Sequence, residues 1–132
     1  MKRVLYLIIT AVMLYGCTSE EQKDTTGSIY GVITDKATGE PVNAASIELG
    51  LGYPSIGFYR YIATLRRTVS GSDGQYEFKD IEPDLSEYDK KYSTKVYYYV
   101  MVSKEGYKNQ FYQLKVEPGK IANGDVLLEP LK

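Results

Sequence analysis

The stretch that decides the fold reads Lys95-Val-Tyr-Tyr-Tyr-Val-Met-Val-Ser-Lys104. It is rich in β-branched and aromatic residues, which favour extended strands. Because successive side chains of a strand point to opposite faces, Tyr98 and Val100 share one face and Tyr97 and Tyr99 share the other. We expect the first face to pack against a hydrophobic core. If the second face is exposed to solvent, two tyrosines stand side by side on it, either for binding or as an ordinary filling of a strand surface. The stretch therefore predicts a strand that is buried on one side.

The same alternation recurs on both sides of this stretch, between segments rich in turn residues. Asp73-Gly74 is a hairpin signal, because this pair accepts the positive φ of a tight turn. No segment after Gly27 carries a long helical period. The chain is therefore predicted to be all-β, with residues 27–132 forming a seven-stranded antiparallel Greek-key β-sandwich. The six further strands are Ser28 to Asp35, Ala45 to Leu49, Tyr61 to Ser70, Tyr76 to Phe78, Phe111 to Val116 and Val126 to Leu128.

Three groups of motifs are similar to those of a known family. They are Ile29-x-Gly31-x-Ile33-x-Asp35 with Thr38-Gly39-Glu40-Pro41, then Thr68-x-Ser70-x-x-Asp73-Gly74, and then Tyr98-x-Val100-x-Val102 with Gly106-Tyr107. Together they resemble the carboxypeptidase regulatory-like domain over nearly all of residues 27–130. The resemblance implies a transthyretin-like (prealbumin-like) sandwich. Members of that family are generally not catalytic, so it also implies that the chain is not an enzyme and needs no cofactor.

A different pattern occupies the N-terminus. Lys2 and Arg3 precede the uncharged, mostly apolar run Val4–Tyr15, which fits the core of a signal peptide and is too short for a membrane-spanning helix. The run leads to Gly16-Cys17, which resembles the lipobox of bacterial lipoproteins. That resemblance implies a signal peptide over residues 1–16 and acyl chains, such as palmitate, on Cys17. An ordinary signal peptide followed by a chance cysteine is the alternative.

Residues 17–26 are polar after the cysteine, and we predict that they form a flexible tether. Glu20, Glu21 and Asp24 resemble the acidic signal that sends lipoproteins to the cell surface in one group of Gram-negative bacteria. The predicted location is therefore the outer membrane of a Gram-negative bacterium, with exposure on the cell surface as a further expectation. A merely solvated linker would have the same composition.

The composition excludes several kinds of chemistry. The chain has no histidine, and its one cysteine lies at the predicted acylation site. A histidine-based triad, a histidine-ligated metal, a catalytic thiol and a cysteine-zinc site are therefore excluded. Removal of residues 1–16 leaves 14 basic and 17 acidic residues, a side-chain charge of −3. This balance argues against nucleic acid as a partner and leaves the membrane, a protein or a glycan.

Tyrosine is abundant: the chain has 14, and no tryptophan. We predict an enlarged loop over Gly50–Arg60, at an end of the sandwich where binding functions commonly reside. Exposed aromatic rings can stack on sugars or anchor a protein partner, whereas rings folded back over the core would be structural. The candidate ligand-binding or partner-binding residues are Tyr53, Phe58, Tyr59, Tyr61, Tyr97 and Tyr99.

A second candidate region is acidic. Asp80, Glu82 and Asp84 begin a run of five carboxylates that continues to Asp89, in the polar loop predicted over Asp84–Thr94. Clustered oxygens suit calcium, but the spacing matches no calcium loop, so a solvated acidic loop is favoured over a metal site. Two minor alternatives are a carboxylate pair for glycoside hydrolysis and a Lys36–Asn123 isopeptide bond.

These observations favour a non-catalytic, membrane-anchored lipoprotein whose domain serves as a binding or assembly module for a protein at the bacterial envelope. One alternative is a carbohydrate-binding module that uses the loop tyrosines. The other is a structural component of a surface or fimbria-like complex.

Overall fold

The computed structural model describes residues 25–131. The predictions for the signal peptide, for Cys17 and for most of the tether lie outside the described residues. Within that range, no helix is both long and apolar enough to cross a membrane. The elements in chain order are β1 (Gly27–Asp35), β2 (Ser46–Ser55), β3 (Phe58–Val69), β4 (Gln75–Ile81), α1 (Ser86–Tyr92), β5 (Tyr97–Ser103), β6 (Gln110–Leu114), β7 (Ile121–Asn123) and β8 (Val126–Leu128).

The strands form two sheets that pack face to face. The first sheet has the order β4-β1-β7, with β8 also paired to β1, and the second has the order β3-β2-β5-β6. Ile29 and Ile33 of the first sheet and Leu51 and Val102 of the second are completely buried, and they belong to one continuous core. Burial of each such side chain stabilises the fold by about 1.5–3 kcal/mol. The prediction of an all-β sandwich is confirmed at this level.

The prediction of seven antiparallel strands is wrong in number and in direction. The described chain has an eighth strand, β7, and both β7 and β8 run parallel to β1 in a single register. They form one edge, interrupted at Gly124 and Asp125, where the Asp125 carboxylate accepts the Val32 N–H at 2.9 Å. The pairing is parallel because the chain reaches this edge by crossing over from the second sheet and not through a hairpin. The Greek-key order stays a prediction.

The prediction of an enlarged loop over Gly50–Arg60 is also wrong. Strands β2 and β3 remain paired up to Ser55 and Phe58, and only Ile56 and Gly57 turn the chain. Gly57, the second residue of the turn, has φ +76°, a left-handed conformation that glycine adopts without strain. Hydrogen bonds between β2 and β3 satisfy the backbone polar groups of this segment, although its glycines and its proline favour a loop.

The polar loop predicted over Asp84–Thr94 contains the helix α1. The Asp84 carboxylate accepts the Ser86 N–H at 2.9 Å at its start, and Ser93 ends it in the left-handed conformation, with φ +52°. The helix has no fully buried residue. It therefore covers an end of the sandwich without adding to the centre of the core.

Candidate functional site

The outer face of the second sheet, which is turned away from the core, carries a cluster of aromatic rings. Tyr59 and Tyr61 come from β3, Tyr99 from β5 and Phe111 from β6, and we call these four residues the aromatic face. The ring centroid of Tyr59 lies 3.9 Å from that of Tyr99 and 4.6 Å from that of Phe111. These rings therefore form one packed group that crosses the strands of the sheet.

Two glycines of β2 make room for this group. Leu49 and Leu51 point into the core, so Gly50 and Gly52, which alternate with them, face outward. A Cβ atom at Gly52 would lie 1.8 Å from the hydroxyl oxygen of Tyr59, and one at Gly50 would lie 2.8 Å from a ring carbon of Tyr61. The tyrosine rings can therefore lie across β2 only because both positions lack a side chain.

The aromatic face has a buried floor and an exposed rim. Tyr99 is 6% exposed, whereas Tyr61 is 42% and Phe111 is 40% exposed. The Tyr99 hydroxyl donates to the side-chain oxygen of Gln113 at 3.2 Å. Rings held in this way present apolar surface in a fixed arrangement, which lowers the entropy lost when a partner binds.

The hydroxyl group of Tyr59 is unusual. Its oxygen is buried and has no hydrogen-bond partner among the described residues. Burial raises the pKa of Tyr59, and the neighbouring Tyr99 and Tyr61 raise it further. Burial also raises the pKa of Tyr99. Both phenols therefore stay neutral, and the centre of the aromatic face carries no charge.

The three remaining candidate aromatic residues differ in position. Tyr97 is half-buried on the same outer face, beside the aromatic face, where it pairs with Gly52. Tyr53 points to the opposite side of the hairpin, where its ring centroid lies 6.2 Å from that of Tyr92 in α1. Phe58 is exposed at the turn, with the Arg60 guanidinium 5.6 Å from its ring centroid. The structure therefore brings together Tyr59, Tyr61 and Tyr99 from the predicted set.

Sequence reasoning missed Phe111, although the signal was present. The predicted strand over Phe111–Val116 places Tyr112 and Leu114 on the inner side, so Phe111 had to face outward. The alternation of glycine with leucine in β2 was a second signal, because it leaves an outer strip without side chains. Neither signal shows by itself which strands become neighbours.

The acidic run contributes mainly to local backbone structure. Glu82 accepts the Asp84 N–H at 3.0 Å, and Asp89 accepts the Val96 N–H at 2.7 Å. Hydrogen bonds from the backbone and the hydroxyl of Ser86 lower the pKa of Asp84. Asp80 is exposed. Over residues 25–131, no three histidine, cysteine or carboxylate side chains are grouped so that they could hold a metal ion.

Lys36 and Asn123, the pair considered for an isopeptide bond, are both exposed. The Asn123 side chain accepts the Asp125 N–H at 2.9 Å. The structure therefore does not give the pair the buried setting that such a bond would need.

A cavity of about 640 Å³ opens between β3, β4 and α1. The guanidinium of Arg66 faces it and donates to the backbone carbonyls of Lys79 and Asp80. The Tyr98 hydroxyl donates to the carbonyl of Glu82, and burial raises the pKa of Tyr98 to about 12. Because these polar groups are already bonded to the chain, they help to hold the end of the sandwich together.

Comparison with known proteins finds solved structures with a similar fold but no related sequence family. No protein-family model matches the sequence, and no curated protein matches it. Solved structures with the same fold include the Bacillus anthracis TIE protein, at 14% identity and a TM-score of 0.53 over 81% of this chain and 17% of that one. Catechol 1,2-dioxygenase from Pseudomonas arvilla C-1 matches at 12% identity and a TM-score of 0.53, over 83% of this chain and 53% of the enzyme.

Shaft pilin SpaA from Lactobacillus rhamnosus GG matches at 16% identity and a TM-score of 0.50, over 82% of this chain and 47% of the pilin. The chain therefore spans about half or less of the length of each of these three proteins. At these identities the likeness shows the fold alone.

These comparisons correct one prediction. We expected that the chain is not an enzyme, and the expectation rested on a family whose members are generally not catalytic. The same fold occurs in catechol 1,2-dioxygenase, at 12% identity, and this finding overturns the expectation. The fold does not fix the function, because functional sites differ among proteins that share it. The chain is thus a two-sheet β-sandwich of a kind found in pilin and dioxygenase structures.

Proposed function

We propose that this chain is a lipoprotein of the bacterial envelope, anchored through Cys17, whose β-sandwich is a structural component of a surface assembly. We further propose that the aromatic face docks a protein partner in that assembly. The single observation that carries the proposal is the exposed rim of the aromatic face, where Tyr61 and Phe111 are each at least 40% exposed.

An outer sheet face in contact with water ordinarily carries polar side chains. Here it carries a packed aromatic group, and tyrosine is among the residues that contribute most to the binding energy of protein interfaces. Large rings with few rotatable bonds also lose little entropy on binding. Beside the group, Glu48 and Arg67 form an ion pair at 2.9 Å. The chemistry of the surface therefore suits a partner with an apolar, weakly charged surface.

A protein partner is favoured over a glycan by the orientation of the rings. Tyr59 is inclined by 52° to Tyr99 and by 63° to Phe111, and Tyr99 is inclined by 50° to Phe111. Extended sugar chains stack best on a flat shelf of rings. Inclined rings present ridges and grooves, which suit the interlocking side chains of a protein surface.

The wider assignment rests on two further lines of support. Shaft pilin SpaA, a structural protein by its name, shares the fold. The motif glycines Gly39, Gly74 and Gly106 have φ values of +77°, +78° and +89°, as turn glycines require, which agrees with the resemblance to the carboxypeptidase regulatory-like domain. The outer-membrane location is proposed from the sequence of the N-terminus.

Site-specific photo-crosslinking tests this proposal. A photoreactive amino acid replaces Phe111 in the full chain, which is expressed in the bacterium that makes it. The matched control carries the same group at Glu77, on the outer face of the first sheet. Illumination should join the Phe111 variant to a specific protein, whereas the Glu77 variant should give no such product. Equal products at both positions, or none at either, would contradict partner docking on the aromatic face.

A further inference from the structure

The hairpin of β2 and β3 extends beyond the rest of its sheet. Strand β5 pairs with β2 only as far as Gly52, whereas β2 and β3 pair with each other up to Ser55 and Phe58. We call residues 53–60 the hairpin tip. Ile56 is 96% exposed and Phe58 is 58% exposed. The hairpin tip is therefore a projection of two strands that exposes two large apolar side chains.

The hairpin tip itself carries one positive charge, that of Arg60, and no negative charge. No aspartate or glutamate occurs from Leu49 to Arg67, although acidic residues outnumber basic ones in the chain as a whole. Arg60 lies in the hairpin tip, with its guanidinium 5.6 Å from the ring centroid of Phe58. A cation beside exposed apolar side chains complements a surface that is apolar inside and anionic outside.

Tyrosines flank the apolar end and hold the hairpin in place. Tyr53 packs against Tyr92 of α1 on one side, and Tyr59 packs against Tyr99 on the other. Tyrosine favours the boundary between lipid and water, because its ring is apolar and its hydroxyl group is polar. The hairpin tip therefore combines an apolar end, flanking tyrosines and an arginine.

The chain enters the domain at the same end of the sandwich. A Cβ atom at Gly27, where β1 begins, would lie 2.6 Å from the Val116 side chain. Val116 follows β6, in which Leu114 pairs with Tyr98 of β5. Tyr98 follows Tyr97, which pairs with Gly52 of β2, and the hairpin tip begins directly after Gly52. A chain held to a membrane on its N-terminal side would therefore bring the hairpin tip toward that membrane.

We propose that the hairpin tip is a membrane-contact site, which places Ile56 and Phe58 at the boundary between the head groups and acyl chains of a bilayer that contains anionic lipid. Arg60 pairs with lipid phosphate, and Tyr53 lies at the interface. A lipid surface is favoured over a protein because the hairpin tip projects beyond its sheet, is apolar at its extreme end and carries an arginine behind that end. This proposal goes beyond the assembly function and rests on different residues from the aromatic rim.

Tryptophan fluorescence tests the proposal in the full chain. The natural sequence has no tryptophan, so Phe58→Trp gives a single reporter, and Tyr30→Trp on the outer face of the first sheet gives the matched control. Both variants are reconstituted into vesicles of phosphatidylethanolamine and phosphatidylglycerol, with and without brominated acyl chains. The F58W emission should shift to shorter wavelength and be quenched by bromine. The Y30W emission should do neither.

Quenching of F58W no stronger than that of Y30W would overturn the proposal. A shift of F58W that needs no lipid and grows with protein concentration would also overturn it, and would assign the hairpin tip to contact with a second copy of the chain. Neither result depends on whether the aromatic face binds a protein, so failure here and failure of the assembly function can be distinguished.

A second measurement removes the contribution of the N-terminus. The buried core lies entirely between Ile29 and Leu128, so a fragment of residues 25–132 retains all of it. Binding of this fragment to the same vesicles should fall at least about tenfold in the double variant Ile56→Ser/Phe58→Ser. The control Leu127→Ser removes a side chain that is 54% exposed and pairs with Thr34 near the opposite end of β1, and it should leave binding unchanged. Equal binding by the double variant and the natural fragment would contradict the proposal.

Discussion

The two outer faces of the sandwich differ, although the inner faces of both sheets carry similar apolar residues. On the outer face of the first sheet, Tyr30 lies opposite Glu77, which forms an ion pair with Lys79 at 3.2 Å. The outer face of the second sheet carries the aromatic face. Packing of the core dictates the inner residues of both sheets, but it does not require rings on the outside. We therefore assign the proposed docking role to the second of these faces.

The glycines of the two faces differ in the same way. Gly50 and Gly52 leave an outer strip on which the rings of the second sheet lie. In the first sheet, Gly31 faces inward, where an added Cβ atom would lie 2.2 Å from the carbonyl oxygen of Gly124. Glycine thus serves close packing of strands in one sheet and ring placement in the other. Substitutions that affect one of these two roles of glycine and not the other test whether the two outer faces differ as described.

The largest expected effect is that of Gly52→Ala. The added methyl group overlaps the Tyr59 ring and the Arg60 carbonyl oxygen, which would lie 2.6 Å away, so the free energy of unfolding should fall by about 1–3 kcal/mol. Urea denaturation of residues 25–132 measures it. The control Gly71→Ala, whose nearest neighbour would be the Asp73 carboxylate at 3.2 Å, should change stability by less than about 1 kcal/mol. Equal losses of unfolding free energy in both variants would mean that the placement of the Tyr59 ring does not require glycine at position 52.

A smaller effect on stability should distinguish Tyr76 from Tyr59. The Tyr76 hydroxyl, in the core, donates to the Gly124 carbonyl at 2.5 Å, whereas the Tyr59 hydroxyl has no partner among the described residues. Tyr76→Phe should therefore destabilise the fold by about 1 kcal/mol, and Tyr59→Phe should be neutral or stabilise it by up to about 1 kcal/mol. Thermal unfolding of the two variants side by side measures the difference. A matching loss in Tyr59→Phe would show that its hydroxyl is bonded after all.

The smallest effect concerns a contact between the end of β1 and the connection that joins β5 to β6. The Tyr107 hydroxyl donates to the Asp35 carboxylate at 2.7 Å, and this bond is the main reason that the pKa of Asp35 lies below its usual value. A lowered folded-state pKa stabilises the protein above the usual pKa, and that contribution is lost as the pH falls through the lowered value. In Tyr107→Phe, the pKa of Asp35 should rise toward its usual value.

Carbon-detected NMR titration of the Asp35 carboxyl group from neutral pH into the acid range checks this expectation. Tyr30→Phe, which alters an exposed ring of the first sheet, is the control and should leave the titration of Asp35 unchanged. An unaltered Asp35 titration in Tyr107→Phe would assign the lowered pKa to the N–H groups of Ala37 and Thr38, which also bond this carboxylate.

The residues that face the core could be predicted because most strands show an alternation of apolar and polar residues within their own sequence. Tyr98 and Val100 follow it and are buried. Strand β7 could not be predicted in this way, because only its central residue, Ala122, packs toward the core, and because its pairing depends on β1, far away in the chain. The extension of the hairpin was missed because Pro54 and the glycines favour a loop locally, whereas pairing between β2 and β3 decides the outcome.

The candidate site was only partly predictable for the same reason. The sequence indicates which residues are aromatic and which face each takes within its own strand. It does not show that β3, β5 and β6 lie on the same sheet, so the meeting of Tyr59, Tyr99 and Phe111 required the tertiary structure. Tyr53, close to Tyr59 in sequence, lies on the other side of the hairpin.

The most direct test of the central claim compares the two outer faces in the native assembly. The full chain is extracted from membranes of its own bacterium with a mild detergent, and the mass of the complex is measured by native electrophoresis. Phe111→Glu on the aromatic face is compared with Tyr30→Glu on the first sheet, since the two side chains are similarly exposed, at 40% and 37%. We predict a large complex for the natural chain and for Tyr30→Glu, and its loss in Phe111→Glu. A complex of unchanged mass in Phe111→Glu would contradict the claim that the aromatic face docks the partner.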